Sequence, residues 1–339
     1  MIIFTLSFQK QRGVALITVM LIVAMCVVIA SQMTNRLQIQ MQRTTNINSN
    51  QQAYWYAMGA EAFTKRVLIT AFKGDENVTH LGQTWAQGET TYPVDFGEIT
   101  GEIIDLQSCL NLNALRALPD NSNNNTQKVS QTKVPARLAL ESLIINLELE
   151  GVSQFEAESM ADALSDWLDE DSRISSAGGA EDDDYASREF PYLAANNYLA
   201  NVNELRIVEH FTPEVIHALM PYVCVIPNSE QHKININTLD AEQPALLEAL
   251  LGSTLDEAQE ILNARGEEGF ETKEEFFNLP EVGRIKDFDN RKDQFVVDSE
   301  YFTLKASANF NDSFFAFNSV MKITNNKYVD VISRTIGRN

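Results

Sequence analysis

The chain has 339 residues, 44% of them hydrophobic, with 47 acidic against 26 basic side chains and a formal net charge of −21. That length and apolar content supply more than one folding unit. Such an acidic surface repels phosphate backbones and anionic headgroups and attracts cations, which excludes most nucleic-acid-binding roles.

A short basic leader containing Lys10 and Arg12 ends at Gly13. Val14 to Ala30 then reads VALITVMLIVAMCVVIA, without charge, Pro or Gly. Continued through residues 31–34, the run fits a ~30 Å hydrocarbon core at ~1.5 Å per residue. The basic flank places the N-terminus in the cytoplasm and the bulk of the chain across the inner membrane. A cleaved signal peptide is the rival reading. The run is longer than a usual signal core and no small-x-small site follows it. Gly and Pro are absent from Val14 to Met58, so nothing interrupts a helix. We expect one helix from about Val14 to Phe72, ended near Gly74. Ala53, Tyr56, Ala60, Phe63 and Val67 recur at steps of three and four, predicting the face that packs on a sheet.

Residues 75–108 read as β-structure: TTYPVDF and GEITGEIIDLQS alternate apolar and polar positions, punctuated by Gly97 and Gly101. From about Tyr301 the pattern returns in YFTLKASANF, FFAFNSVMKIT and KYVDVISRTIG, with turns at Asn311–Asp312 and Asn325–Asn326. Strand sequence at both ends of a long helical stretch predicts a discontinuous domain carrying an insertion. Cys26 lies in the apolar run. Cys109 and Cys224 remain as an even pair, expected to bond if that part faces an oxidising compartment, two separate buried thiols being the alternative.

The insertion holds a weak repeat, CLNLNALRAL at 109–118 and KININTLDAEQPALLEAL at 233–250. Asn121 to Thr132 reads as a flexible loop, and a helical module starts near Pro135. The second copy continues into a helix-hairpin-helix or SAM-like pattern. DNA-binding versions use a Gly-apolar-Gly turn, but here the turn is Leu251-Gly252-Ser253-Thr254, among Glu248, Asp256, Glu257, Glu260, Glu267 and Glu268. A packing module is expected, not a DNA clamp. Asn201 and Glu204 read as a capping box.

The sharpest chemical feature is ALSDWLDEDSRISSAGGAEDDDYASREFPY. Asp166, Asp169, Glu170 and Asp171 crowd a helix C-terminus, where carboxylates oppose the dipole, and Glu181, Asp182, Asp183 and Asp184 follow. Gly178–Gly179 lets the chain fold back and bring the two groups together. An oxygen-seeking cation would compensate them, and calcium tolerates irregular loops better than magnesium. The expected ligands are Asp169, Asp171, Glu181, Asp182 and Asp184, holding one or two Ca2+ ions, with Asp183 pointing away. The spacing is not that of an EF-hand, and a solvated acidic loop is the alternative. The scattered His80, His210, His217 and His232 argue against zinc; His210 and His217 read as two positions on one helix. No nucleophile elbow, phosphate loop or opposed carboxylate pair appears, so no enzyme is expected.

A basic leader ending in Gly, then at once a long apolar helix turning amphipathic, resembles a type IV pilin or pseudopilin. The resemblance implies cleavage by a prepilin peptidase between Gly13 and Val14, with N-methylation of Val14. The family mostly carries Glu at the fifth mature position, to meet the neighbouring subunit's amine. Here that position is Thr18, which cannot make the pairing and suits a subunit with nothing above it. The lack of this Glu, with CLNLN, DWLDED, GGAEDDDY, NELR and ININT, resembles the K-type minor pseudopilin of type II secretion along nearly the whole chain. That family implies an α+β pilin-like fold, a long N-terminal helix on an antiparallel sheet, with a large helical insertion. The expected parts are a leader (1–13), a transmembrane part (14–35), a pilin-like domain (36–110 and 298–339) and two SAM-like modules (111–230 and 231–297). The resemblance also implies a calcium-binding acidic loop, I- and J-type minor pseudopilins as partners, other pseudopilins and the inner-membrane platform as contacts, and a single-pass inner-membrane protein with a periplasmic domain. A DNA-uptake pilin is the alternative.

Overall fold

The computed structural model describes residues 13–73, 78–117, 133–325 and 328–337. The leader up to Arg12, Gly74, the Asn121–Thr132 loop and Asn326 lie outside the described residues. Helix α1, Val14–Ala71, is continuous for 58 residues. It is the one helix among the described residues long and apolar enough to cross a membrane. Residues 13–48 are exposed throughout, so the core begins beyond them.

The face of α1 that meets the sheet differs from the expected stripe. Its buried positions are Ser49, Ala53, Ala57, Glu61, Thr64 and Leu68. Phe63 is 56% exposed, and Tyr56, Ala60 and Val67 lie on the flank. The helix is turned because Glu61 faces inward. Its carboxylate accepts from Ser319 Oγ at 2.6 Å and from Arg334 at 2.6 and 2.8 Å. Burial would raise the Glu61 pKa, but these bonds outweigh it and hold the carboxyl below its usual range. A purely apolar count therefore missed the seam.

After α1, residues 78–89 form loop and turns, and strand structure begins later than expected, at β1 (Thr90–Val94) and β2 (Gly97–Asp105). The hairpin between them has two loop residues, with Phe96 left-handed at φ 60°. Gly97 is required by close approach, since a Cβ there would stand 1.9 Å from the Asn309 carbonyl oxygen.

A helical body then interrupts the sheet. Its short strands are β3 (Leu110–Asn111), β4 (Val223–Cys224), β5 (Ile234–Asn235) and β6 (Phe295–Val296), paired in parallel as β3–β4 and β5–β6. Its helices are α2 (Pro135–Asn146), α3 (Gln154–Leu168), α4 (Asp182–Ala186), α5 (Pro213–Leu219), α6 (Ala245–Leu251), α7 (Leu255–Ala264) and α8 (Lys273–Phe277). Helix α2 packs on both α3 and α6, and one apolar cluster runs from Leu110 to Val297.

The sequence repeat has a structural meaning. In each copy the first Asn accepts from the amide two residues on: Asn113 to Asn111, and Asn237 to Asn235. The second Asn grips a distant backbone from both sides. Asn113 accepts from Leu199 N–H and donates to Leu199 and Ile226 carbonyls, while Asn237 accepts from Phe270 N–H and donates to its carbonyl. Buried amides with every polar atom paired fix each module to its strand.

The chain returns to the sheet through β7 (Tyr301–Phe310), β8 (Ser313–Thr324) and β9 (Tyr328–Ile336). The sheet order is β1-β2-β7-β8-β9, antiparallel throughout. Asn311 and Asn325 take left-handed φ at the turns. Leu68, Phe72, Trp85, Phe302, Leu304, Phe317 and Met321 form the core between sheet and helix. Where the body leaves the sheet, buried Asp105 accepts from Ser299 Oγ, Thr238 Oγ1, Asn235 Nδ2 and Gln107 N–H. Beside this joint Cys109 and Cys224 are disulfide-bonded, with Cα atoms 5.8 Å apart.

Candidate metal centre

The acidic constellation folds as two arms. Helix α3 opens with Ser153 and Glu156 as a capping box and closes on Asp169, so Asp166 and Asp169 sit within its last turn and cap. The chain then turns back through Gly178–Gly179 to α4, whose N-cap is Glu181. Both glycines are needed for contact. A Cβ on Gly178 would lie 2.6 Å from Ser159 Cα, and one on Gly179 would lie 1.9 Å from Asp166 Oδ2. His210, left-handed at φ 69°, holds the turn through a 3.1 Å bond between Nε2 and the Gly178 oxygen.

The residues that converge are Asp166, Asp169 and Glu181, each offering an oxygen within 4.8 Å of the other two. Glu181 is 3% exposed, and neither of its carboxylate oxygens has a hydrogen-bond partner. Asp166 is fully buried and accepts from Ser175 N–H and Oγ. Burial pushes Glu181 up to about 7, aided by repulsion from Asp169, Asp166 and Asp182. Burial likewise pushes Asp169 up to about 6, and Asp171 and Asp166 add to it. Asp166 is also raised, chiefly by burial. Buried carboxylates with orphaned oxygens are costly unless protonated or matched by a cation. The donor set is all oxygen, which fits a hard cation such as calcium.

The other expected ligands lie elsewhere. Asp171 is exposed and accepts from the Arg173 amide. Asp184 is exposed and accepts from Glu181 N–H, closing the cap of α4. Asp182 accepts from Ala194 N–H and Ser172 Oγ, so it ties a neighbouring loop. Asp183 is exposed, as expected of a side chain pointing away. Asp166, absent from the expected set, lies three residues before Asp169, and that helical i, i+3 spacing was the available signal.

Asn201 and Glu204 form a capping box on the 3-10 turn at Val202–Arg206. His210 and His217 do not share a helix, because Thr212 caps α5 and Pro213 opens it after His210. Two amides of the turn between α6 and α7 are already taken and not offered to phosphate. Gly252 N–H donates to the Glu248 oxygen, and Thr254 N–H to the Glu257 carboxylate. On α1, Val14 is the first helical residue and Gly13 has open space where a Cβ would stand. Thr18 Oγ1 donates to the Ala15 oxygen at 2.9 Å, the ordinary back-bond of a helical threonine.

Family models described as "Type II secretion system (T2SS), protein K" match residues 108–228 and 234–298. These segments start at the two Asn-x-Asn strands. Type II secretion system protein K of Aeromonas hydrophila is 41% identical over 269 residues, covering 79% of this chain and 80% of the relative. That of Pectobacterium carotovorum subsp. carotovorum is 35% identical over 333 residues, 97% of each. Among solved structures, a chain of the GspK-GspI-GspJ complex from the enterotoxigenic Escherichia coli type 2 secretion system superposes with TM-score 0.78 at 31% identity, covering 88% of this chain and 100% of that one. With an α+β pilin-like fold of this kind, the chain belongs to the type II secretion system protein K family.

Proposed function

We propose that this protein is the minor pseudopilin that caps the tip of a periplasmic pseudopilus, in complex with I- and J-type minor pseudopilins, and supports protein secretion across the outer membrane. The observation that carries the reading is the match of 88% of the chain to a chain of the GspK-GspI-GspJ complex. Three features support it. Helix α1 joins an apolar span to the folded domain without a break, so anchor and assembly element are one rod. The neutral Thr18 offers no carboxylate to a subunit above. The helical body between β2 and β7 is bulky for a middle position in a helical filament.

In this reading Lys10 and Arg12 keep the N-terminus in the cytoplasm, and the Cys109–Cys224 disulfide suits an oxidising periplasm. A prepilin peptidase cuts after Gly13 and Val14 is methylated. Other pseudopilins and the inner-membrane platform meet the mature chain. Asp166, Asp169 and Glu181 hold one Ca2+ ion. Bound calcium supplies the positive charge that keeps α3, the double-glycine turn and α4 together. Copurification tests the assembly. The full chain in detergent, coexpressed with its I- and J-type counterparts, should elute as one complex containing all three. Separate elution of the K-type chain refutes it. Gly13→Ala should leave the leader uncut, and normal processing overturns the maturation site.

A further inference from the structure

Arg116 stands outside the acidic run and beside it. It is the last residue of the 3-10 turn Leu112–Arg116, and its side chain is 13% exposed. Each of its three guanidinium nitrogens has a partner. Nε donates to the Leu168 carbonyl at 2.8 Å, one nitrogen to Glu170 at 2.6 Å and the other to Glu230 at 3.3 Å. Its carbon lies 4.4 Å from the Tyr198 ring centroid.

Leu168 and Glu170 flank Asp169. Arg116 therefore holds the chain on both sides of one converging carboxylate. Leu168 is the last residue of α3, where carbonyls lack helical partners and a cation is favourable. Glu170 is drawn outward, with a side chain 82% exposed, and stays out of the cluster. The same 3-10 turn carries Asn113, which grips Leu199 and Ile226. Seven positions before Arg116, Cys109 carries the disulfide to Cys224.

We infer that Arg116 is a positioning residue for the cation site: its planar fork sets the path of residues 168–170 so that Asp169 meets Asp166 and Glu181, and it links the site to the disulfide joint. The inference rests on the calcium reading above. It makes a prediction opposite in sign to that of a mere neighbouring charge. Removing a positive charge near a cation site strengthens cation binding by Coulomb attraction alone. Removing a positioning fork weakens it, as outer-shell changes around metal sites do, by tenfold or more. Lysine carries the charge but cannot reach two acceptors with a rigid fork.

The test uses the full chain in detergent and terbium alone as the probe, excited through Trp167, which neighbours Asp166 in sequence. Titrations give the apparent Kd, and lifetimes in H2O and D2O give the number of waters on the ion. R116Q should weaken binding at least tenfold and add at least one bound water, with R116K recovering only part of the loss. E170Q loosens one of the two holds that Arg116 has on residues 168–170, so it should weaken binding, though by less than R116Q; if R116Q fails to fold, unchanged or tighter binding by E170Q overturns the inference. Unchanged or tighter binding by R116Q, or full recovery by R116K, overturns the inference. An E170Q loss as large as that of D169N overturns it too. Failure of the unaltered protein to bind terbium instead refutes the calcium reading, and this inference with it.

Discussion

Replacing Asp105 by Asn should stabilise the protein at neutral pH, although the carboxylate it removes accepts four hydrogen bonds. Asp105 is 2% exposed at the joint between sheet and helical body, and no basic side chain bonds it. Burial pushes its pKa from 3.8 up to about 6, against the bonds from Ser299, Thr238, Gln107 and Asn235. A raised native pKa means that the folded protein holds a proton which the unfolded chain has already released. Its contribution to stability is fully present below pH 3.8 and is lost as pH rises through 6. At ~1.36 kcal/mol per pH unit the whole difference is about 3 kcal/mol, of which roughly 2 falls between pH 4.5 and 7.5. Asn cannot ionise, and its weaker acceptance costs about 1 kcal/mol at either pH. D105N should therefore gain about 2 kcal/mol relative to the parent between those two pH values. The assay is urea unfolding of a soluble form starting at Arg36, disulfide intact, at pH 4.5 and 7.5. Of the described residues that form omits only 13–35, none of which has a buried side chain. If D105N is less stable by the same margin at both pH values, the four donors outweigh burial and the reasoning fails.

Calcium at 100 times its Kd should add about 2.7 kcal/mol at pH 7.5, a rise in melting midpoint of roughly 5–10 °C. Because Asp169 and Glu181 are raised to about 6 and 7, the ion-free fold loses stability as pH rises through that range, and protons displace the ion below it. Scanning calorimetry with calcium and with chelator should give a much smaller shift at pH 5; equal shifts would count against coordination by these carboxylates. Gly179→Ala, whose Cβ would meet Asp166 Oδ2, should abolish the calcium response, and a normal response would show that the turn is not closely packed there. Changing both Cys109 and Cys224 to Ser opens a loop spanning 115 positions, and the chain-entropy estimate is a loss of about 5 kcal/mol in urea unfolding. Glu61→Ala should cost about 1–3 kcal/mol, limited because Arg334 is half exposed and can rehydrate; a neutral result would mean that β9 is held by its ladder to β8 alone.

Much of this protein was legible in the chain itself. A run without charge or helix breaker determines a membrane-length helix whatever it packs against. The alternation in TTYPV, GEITGEIID and the last three strands, with Asn at the turns, determined the sheet. The acidic loop was legible as a crowding of carboxylates, and the double glycine as the means of folding it back. Tertiary structure decided which atoms meet. The buried face of α1 is turned because Glu61 is neutralised by Arg334, 273 positions away, and no local pattern marks that partner. In the acidic run the caps of α3 and α4 claim Asp184 and turn Asp171 outward, so Asp166 takes a place in the cluster instead. Arg116 reaches Leu168 and Glu170 across 52 and 54 positions. Periodicity and composition act along the chain, so the sequence displays them directly. Charge pairing and ligand convergence depend on which distant segments are brought within a few ångströms, and packing alone sets that.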